Sequence, residues 1–114
     1  MTDCLFCRII EGEVPSRKVY EDDLVVAFRD ITPQAPTHIV IVPRKHVASL
    51  SELAKADDYI IGHLVRIATE IAALQGIASE GYRLVANCGA GAGQSVDHLH
   101  FHLLGGRPLG WPPG

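Results

Sequence analysis

The chain has 114 residues, 47% apolar and 20% charged, with a formal charge of −3. That size predicts one domain, 1–114, with a single modest core, and the acidic balance excludes a surface built to neutralise a nucleic-acid backbone. No apolar run is long enough for a membrane span, and an odd number of cysteines, three, fits a reduced cytoplasmic protein better than a disulfide framework.

The start, Met1-Thr2-Asp3-Cys4, lacks the basic region and apolar run of a signal peptide. Cys4-Leu5-Phe6-Cys7-Arg8-Ile9-Ile10 reads as a short helical turn, stopped by Gly12 and Pro15. Its Cys-x-x-Cys spacing is compatible with zinc, with redox chemistry, or with plain reduced thiols. Two short strands follow, 18–21 and 24–28, with Glu21-Asp22-Asp23 as the turn between them. Pro33 and Pro36 then exclude regular structure, so Arg29-Asp30-Ile31-Thr32-Pro33 opens a shaped loop. The β-branched run Thr37-His38-Ile39-Val40-Ile41-Val42-Pro43 predicts a buried central strand with His38 at its entrance.

After a short connection, Asp57 or Asp58 caps a helix predicted from Tyr59 to Leu74. Ile60, Leu64, Ile67, Ile71 and Leu74 form one apolar stripe, widened by Ile61, Val65, Ala68 and Ala72. So broad a face predicts burial on two sides, against the chain's own sheet and against a partner subunit. His63 and Arg66 fall on the solvent-facing remainder. Gly76 ends the helix, and 81–87 reads as the next strand. Gly89, Gly91 and Gly93 alternate in the following loop. Such a loop lets backbone N–H groups approach an anion, although the lysine of a P-loop is missing. Cys88 is read as structural.

The stretch that organises the chain is Asp97-His98-Leu99-His100-Phe101-His102-Leu103-Leu104. Read as a strand, it puts His98, His100 and His102 on one face and Leu99, Phe101 and Leu103 on the other. Three aligned imidazoles suit metal binding. They equally suit phosphoryl chemistry, in which one ring attacks phosphorus while its neighbours hold oxygens and move protons. Gly105-Gly106 closes the strand. The Pro-rich tail, 105–114, carries the only tryptophan, Trp111, and needs a surface to pack on.

His98-Leu99-His100-Phe101-His102-Leu103-Leu104 resembles the signature of the histidine-triad (HIT) superfamily, His-φ-His-φ-His-φ-φ with φ apolar. The resemblance is nearest to the HINT branch of histidine-triad nucleotide-binding proteins and purine nucleoside phosphoramidases. It extends through Asp30-Ile31-Thr32-Pro33-Gln34-Ala35-Pro36-Thr37-His38, Gly93-Gln94-Ser95-Val96 and the tail from Gly105 to Pro113. It implies an α+β, HIT-like fold: about five mostly antiparallel strands, one long helix and a short N-terminal helix. It implies a homodimer joined through the long helix and the strand beside it, with the tail near the partner.

The resemblance also implies roles. Asp30 would accept from a ribose and Ile31 would pack on the base. Asn87, Gly93, Gln94, Ser95 and His102 would hold an α-phosphate. His100 would attack phosphorus, His38 would orient the triad, and Ser95 or a flanking His98 or His102 would protonate the leaving nitrogen. The implied substrate is a purine nucleotide of AMP or GMP type, joined to an amine or as an acyl-AMP, and no cofactor is required. Some relatives hold structural zinc through four ligands matching Cys4, Cys7, His46 and His98. Asp97 departs from the apolar or aromatic residue usual before the first triad histidine. Two other readings stay open: a nucleotide-binding interaction or sensor protein with little turnover, and a zinc protein whose triad serves the metal.

Overall fold

The computed structural model describes residues 3–114; Met1 and Thr2, the first residues of the start read above, lie outside the described residues. Five strands, β1 (Lys18–Glu21), β2 (Val25–Arg29), β3 (Thr37–Pro43), β4 (Tyr82–Val85) and β5 (Phe101–Gly105), form one sheet. Their spatial order is β1-β2-β3-β5-β4, and every neighbouring pair is antiparallel. A short helix, α1 (Leu5–Ile10), and a long one, α2 (Asp58–Leu74), complete the α+β architecture. Among the described residues no helix is long and apolar enough to cross a membrane.

The β-branched run places β3 in the middle of the sheet, with all seven residues buried. Its side chains alternate between two cores. On one face Ile39 and Ile41 join Val25, Ala27, Leu99, Phe101 and Leu103 beneath Leu64, Ile67, Ala68, Ile71 and Ala72 of α2. On the other, Val40 and Val42 join Val26 and Phe28 against Phe6 and Ile9 of α1. Each large apolar side chain taken fully from water contributes about 1.5–3 kcal/mol, so the α2 stripe anchors the fold.

Several local expectations change. The helix begins one residue early, and Asp57, its N-cap, makes no side-chain bond to the helix; its carboxylate instead accepts from the Ala54 N–H and from Lys45 Nζ, 2.6 Å away. Leu74 closes the predicted stripe but stands 78% exposed, because the helix ends there and the chain turns away at Gly76 with φ of 75°. His63 is not a solvent-facing bystander. Its Nε2 lies 2.7 Å from Asp22 Oδ2, which also accepts from the Tyr20 hydroxyl, while Oδ1 accepts from the Leu24 and Val25 amides. Burial alone would raise the Asp22 carboxyl, but the bonds from Tyr20, His63 and the two amides hold it well below the usual carboxylate range. The bond to Asp22, with burial, pushes Tyr20 up to about 12.

The strand expected over Asp97–Leu104 pairs only from Phe101. Before that point the hydrogen-bonding groups go elsewhere: the Leu99 N–H donates to Val47 O at 2.7 Å, and His98 O accepts from the His100 ring. The alternation of faces nevertheless continues through these residues, since Leu99 lies in the α2 core while the rings of His98 and His100 meet Phe6.

Candidate active site

The site forms on the sheet face away from α2. In the β3–β5 pairing Val40 lies opposite His102 and His38 opposite Leu104, so His38 and His102 are diagonal neighbours within reach of each other. His38 Nε2 is 2.9 Å from His102 Nδ1. The prolines shape the preceding loop so that the Gln34 N–H donates to His38 Nδ1 at 3.0 Å. A nitrogen that accepts carries no proton, so neutral His38 is protonated on Nε2. That N–H donates to His102 Nδ1, with Asp30 Oδ2 3.4 Å from the same nitrogen. Neutral His102 therefore keeps its own proton on Nε2.

His100 has the opposite tautomer. Its Nδ1–H donates to the His98 carbonyl at 2.7 Å, which leaves Nε2 with an unshared electron pair. Its ring centroid lies 5.1 Å from that of His102 and 4.9 Å from that of Phe6, which meets it edge-on. Burial pushes His38 and His102 below the ordinary imidazole range; Asp30 opposes the shift at both, and the neighbouring imidazoles add to it at His102. Both rings are thus neutral at pH 7, with defined donor and acceptor ends.

These rings line a cleft of about 910 Å³. Asp30, Ser95, His38, His100 and His102 are among its polar lining groups, and Leu5, Phe6, Ile9, Val14 and Phe28 among its apolar ones. Ile31 also lines the cleft and is 98% exposed, an apolar side chain available to cover a ligand. Asp30 Oδ1 accepts from the Thr32 N–H at 2.8 Å, which fixes the carboxylate at the mouth of the loop. The cleft combines apolar walls with imidazole, carboxylate and hydroxyl groups, the mix of a small-molecule site.

Not every expected residue lies there. Asn87, Gly93 and Gln94 do not line the cleft. Gln94 instead staples its own loop: Oε1 accepts from the Gly89 N–H, and Nε2 donates to the Ala48 and Val96 carbonyls. His98 is fully buried and also outside the cleft. Two contributors were not foreseen in the sequence. Phe6 forms the wall against His100, signalled only by its place on a short amphipathic turn. Gln34 acts through its backbone, for which a side-chain motif gives no sign.

A second cluster lies behind the first. Cys4, Cys7, His46 and His98 each offer one ligand atom, all within 4.8 Å of one another. His98 Nε2 donates to the Pro43 carbonyl at 2.8 Å, so Nδ1 turns its electron pair toward the cluster. That Nδ1 lies 3.1 Å from His46 Nδ1, 3.3 Å from Cys4 Sγ and 3.5 Å from Cys7 Sγ; Cys7 Sγ lies 3.4 Å from His46 Nδ1. A tetrahedral zinc ion with ordinary bond lengths separates its sulfur and nitrogen ligands by about 3.3–3.8 Å; the three sulfur–nitrogen distances fall in that range and the nitrogen–nitrogen distance just below it, so the donors suit that ion in kind and approximate spacing. The triad does not converge on one ion: His98 joins this cluster, His102 lies with Asp30 and His38, and His100 belongs to neither group.

Comparison with known proteins agrees with this geometry. The HIT domain family matches residues 11–109. The chain is 51% identical over 112 residues to an uncharacterised HIT-like protein of Synechococcus elongatus, covering 98% of this chain and 97% of that one. It is 48% identical over 108 residues to the purine nucleoside phosphoramidase of Escherichia coli K12, covering 95% and 91%. The crystal structure of a HIT family hydrolase from Legionella pneumophila superposes with a TM-score of 0.97 at 47% identity, covering 98% and 100%.

Proposed function

Because this chain belongs to the HIT domain family, we propose that it hydrolyses purine nucleoside 5′-phosphoramidates, cleaving the P–N bond to give a nucleoside monophosphate and an amine. One observation carries the reading: the bond from His100 Nδ1 to the His98 carbonyl, which leaves Nε2 unprotonated in a ring that lines the cleft.

In this reading the base packs on apolar lining side chains, Ile31 among them. Asp30 accepts from the ribose hydroxyls. The phosphate sits between His102, whose Nε2–H donates to a non-bridging oxygen, and Ser95. His100 Nε2 attacks phosphorus in line, the P–N bond breaks, and the amine leaves with a proton supplied through Ser95 or His102. Water then adds to phosphorus, the bond to His100 breaks, and the nucleoside monophosphate is released. Fixed neutral donors and a placed nucleophile supply the acceleration. Asn87, Gly93 and Gln94, implied as phosphate contacts by resemblance, lie outside the cleft lining, and Ser95 is the residue of that segment that lines it.

Cys4, Cys7, His46 and His98 would hold a structural zinc ion, which cross-links α1 to the sheet when bound and takes no part in the reaction. A homodimer is supported by exposed apolar groups on α2, on β4 and in the tail, namely Val65, Tyr82 and Trp111, the last 83% exposed. β4 is also an edge strand, open to pairing with a second copy.

Steady-state hydrolysis of a substrate panel tests the activity. Adenosine and guanosine 5′-phosphoramidates turn over readily, and the 2′-deoxy analogue loses roughly tenfold or more in kcat/KM, the worth of a hydrogen bond to a carboxylate. Tight AMP binding with negligible turnover of every compound would favour the binding-protein reading instead.

A further inference from the structure

The chain that follows β5 returns over the proline loop behind His38. β5 ends at Gly105, which pairs with Thr37 of β3 and Tyr82 of β4. Gly106 then turns with φ of 91°, and a Cβ built there would lie 2.9 Å from Pro36 Cβ. Glycine permits both the turn and the close approach, and Arg107 is thereby delivered onto the loop. Its Nε and one terminal nitrogen both donate to the Gln34 carbonyl, at 3.0 and 2.9 Å, and the other terminal nitrogen donates to the Pro108 carbonyl at 2.9 Å. Further along, Arg83 pins the tail by donating to the Gly110 carbonyl at 2.7 Å. Residues 30–38 otherwise brace themselves: the Thr32 N–H donates to Asp30, Gln34 Nε2 to the Thr32 carbonyl, and the Gln34 N–H to His38 Nδ1. Among the described residues, the hydrogen bonds tying this loop to the tail are those of Arg107. Gln34 is thus held at its carbonyl and holds His38 with its N–H.

We propose that Arg107 is a positioning residue for His38 and His102: by fixing the Gln34 carbonyl it aims the Gln34 N–H at His38 Nδ1, and so sets the tautomers of both rings. The use of the His102 Nε2–H on substrate rests on the function proposed above; the coupling of Arg107 to the two rings does not. Arg107 does not line the cleft and acts only through Gln34. With the tether gone, His38 Nδ1 loses its donor and is free to carry the proton in place of Nε2. His38 Nε2 then faces His102 Nδ1 as an acceptor, which draws the His102 proton from Nε2 to Nδ1 and leaves the cleft side of that ring without a donor. Arginine suits the task because its charge is constant over the working pH range and its planar fork can place two N–H groups on one carbonyl. The ammonium of lysine lacks that fork.

The test compares the full-length protein with Arg107→Met, Arg107→Lys and Arg83→Met, the last removing the other tail anchor while leaving Gln34 untouched. Ring ¹⁵N resonances report the tautomers, amide exchange reports the Gln34 N–H, and steady-state kinetics uses adenosine 5′-phosphoramidate. In Arg107→Met the Gln34 amide should exchange about tenfold faster or more. The His38 Nδ1 resonance should move toward the protonated position and the His102 Nε2 resonance toward the unprotonated one. The kcat should fall roughly tenfold with KM within a few-fold, the scale of a small misplacement relayed from outside the site. Arg107→Lys should show the same changes to a smaller degree, and it decides the matter if Arg107→Met does not fold. Arg83→Met should leave both rings as they are. Unchanged His38 and His102 resonances in a folded Arg107 variant would overturn the proposal. So would the same shifts in Arg83→Met, which would trace them to general loosening of the tail, or shifted resonances with undiminished kcat. If the wild-type protein turns over no phosphoramidate, the activity reading falls, while the resonance and exchange comparison still decides the coupling of Arg107 to the rings.

Discussion

His38 Nε2 stands 2.9 Å from His102 Nδ1, and that bond fixes which nitrogen of His102 carries its proton. The Gln34 N–H behind His38 and the Asp30 carboxylate beside it leave His38 one sensible tautomer. Replacing the ring with one of similar shape that cannot donate should release His102 to adopt the wrong tautomer. His38→Phe is expected to lower kcat roughly 100-fold with KM changed only a few-fold, as when the orienting member of a catalytic triad is lost. Steady-state kinetics separates the two parameters; a change confined to KM would show that His38 serves binding only.

The same burial makes stability depend on pH. Burial depresses His38 and His102 in the folded protein. Between those depressed values and about 6.5, the unfolded chain binds more protons than the folded one. Stability from these rings is therefore complete above about pH 6.5 and falls as the pH drops below it. Asp22 acts in a lower window: its depressed carboxyl contributes fully above about pH 4 and loses that contribution on further acidification. Urea midpoints measured at pH 7.5, 5.5 and 3.5 should fall in that order. An unchanged midpoint between 7.5 and 5.5 would mean that the two imidazoles titrate alike in both states.

Asp22 ties the β1–β2 turn to α2, away from the cleft. It accepts from Tyr20, His63 and two backbone amides. Asp22→Ala leaves those donors unmatched and should cost about 2–4 kcal/mol of stability, since a bond to a charged acceptor contributes about 1.5–3 kcal/mol net and water reaches part of this partly exposed site. Asp22→Asn keeps an acceptor oxygen and should cost less. Both should retain turnover at temperatures where they stay folded, because Asp22 does not line the cleft. Thermal unfolding followed by circular dichroism gives the ranking.

Strong periodic signals in the sequence carry through to the structure, and groups whose partners lie far along the chain do not. β3 follows from its β-branched run residue for residue, and α2 is displaced by one residue at its start. The alternation in His98–Leu104 correctly separates imidazoles from core side chains. Its reach as a paired strand is overestimated because the Leu99 N–H finds Val47 and the His98 carbonyl finds a ring. His63 looked idle because its partner, Asp22, lies 41 residues earlier. Gln94, implied by resemblance as a phosphate contact, makes its bonds within the loop region it braces. The grouping of Cys4, Cys7, His46 and His98 is implied in the sequence only by resemblance to relatives; their spacing requires the fold.

The most direct measurement is capture of the covalent intermediate. The protein is mixed with excess adenosine 5′-phosphoramidate, quenched in base within one turnover, digested and analysed by mass spectrometry. The peptide containing His100 should gain the mass of an adenylyl group at that residue, and His100→Ala should lose the adduct together with at least about 10³-fold in turnover. An adduct on a different residue, or wild-type turnover by His100→Ala, would contradict the assignment of His100 as the nucleophile.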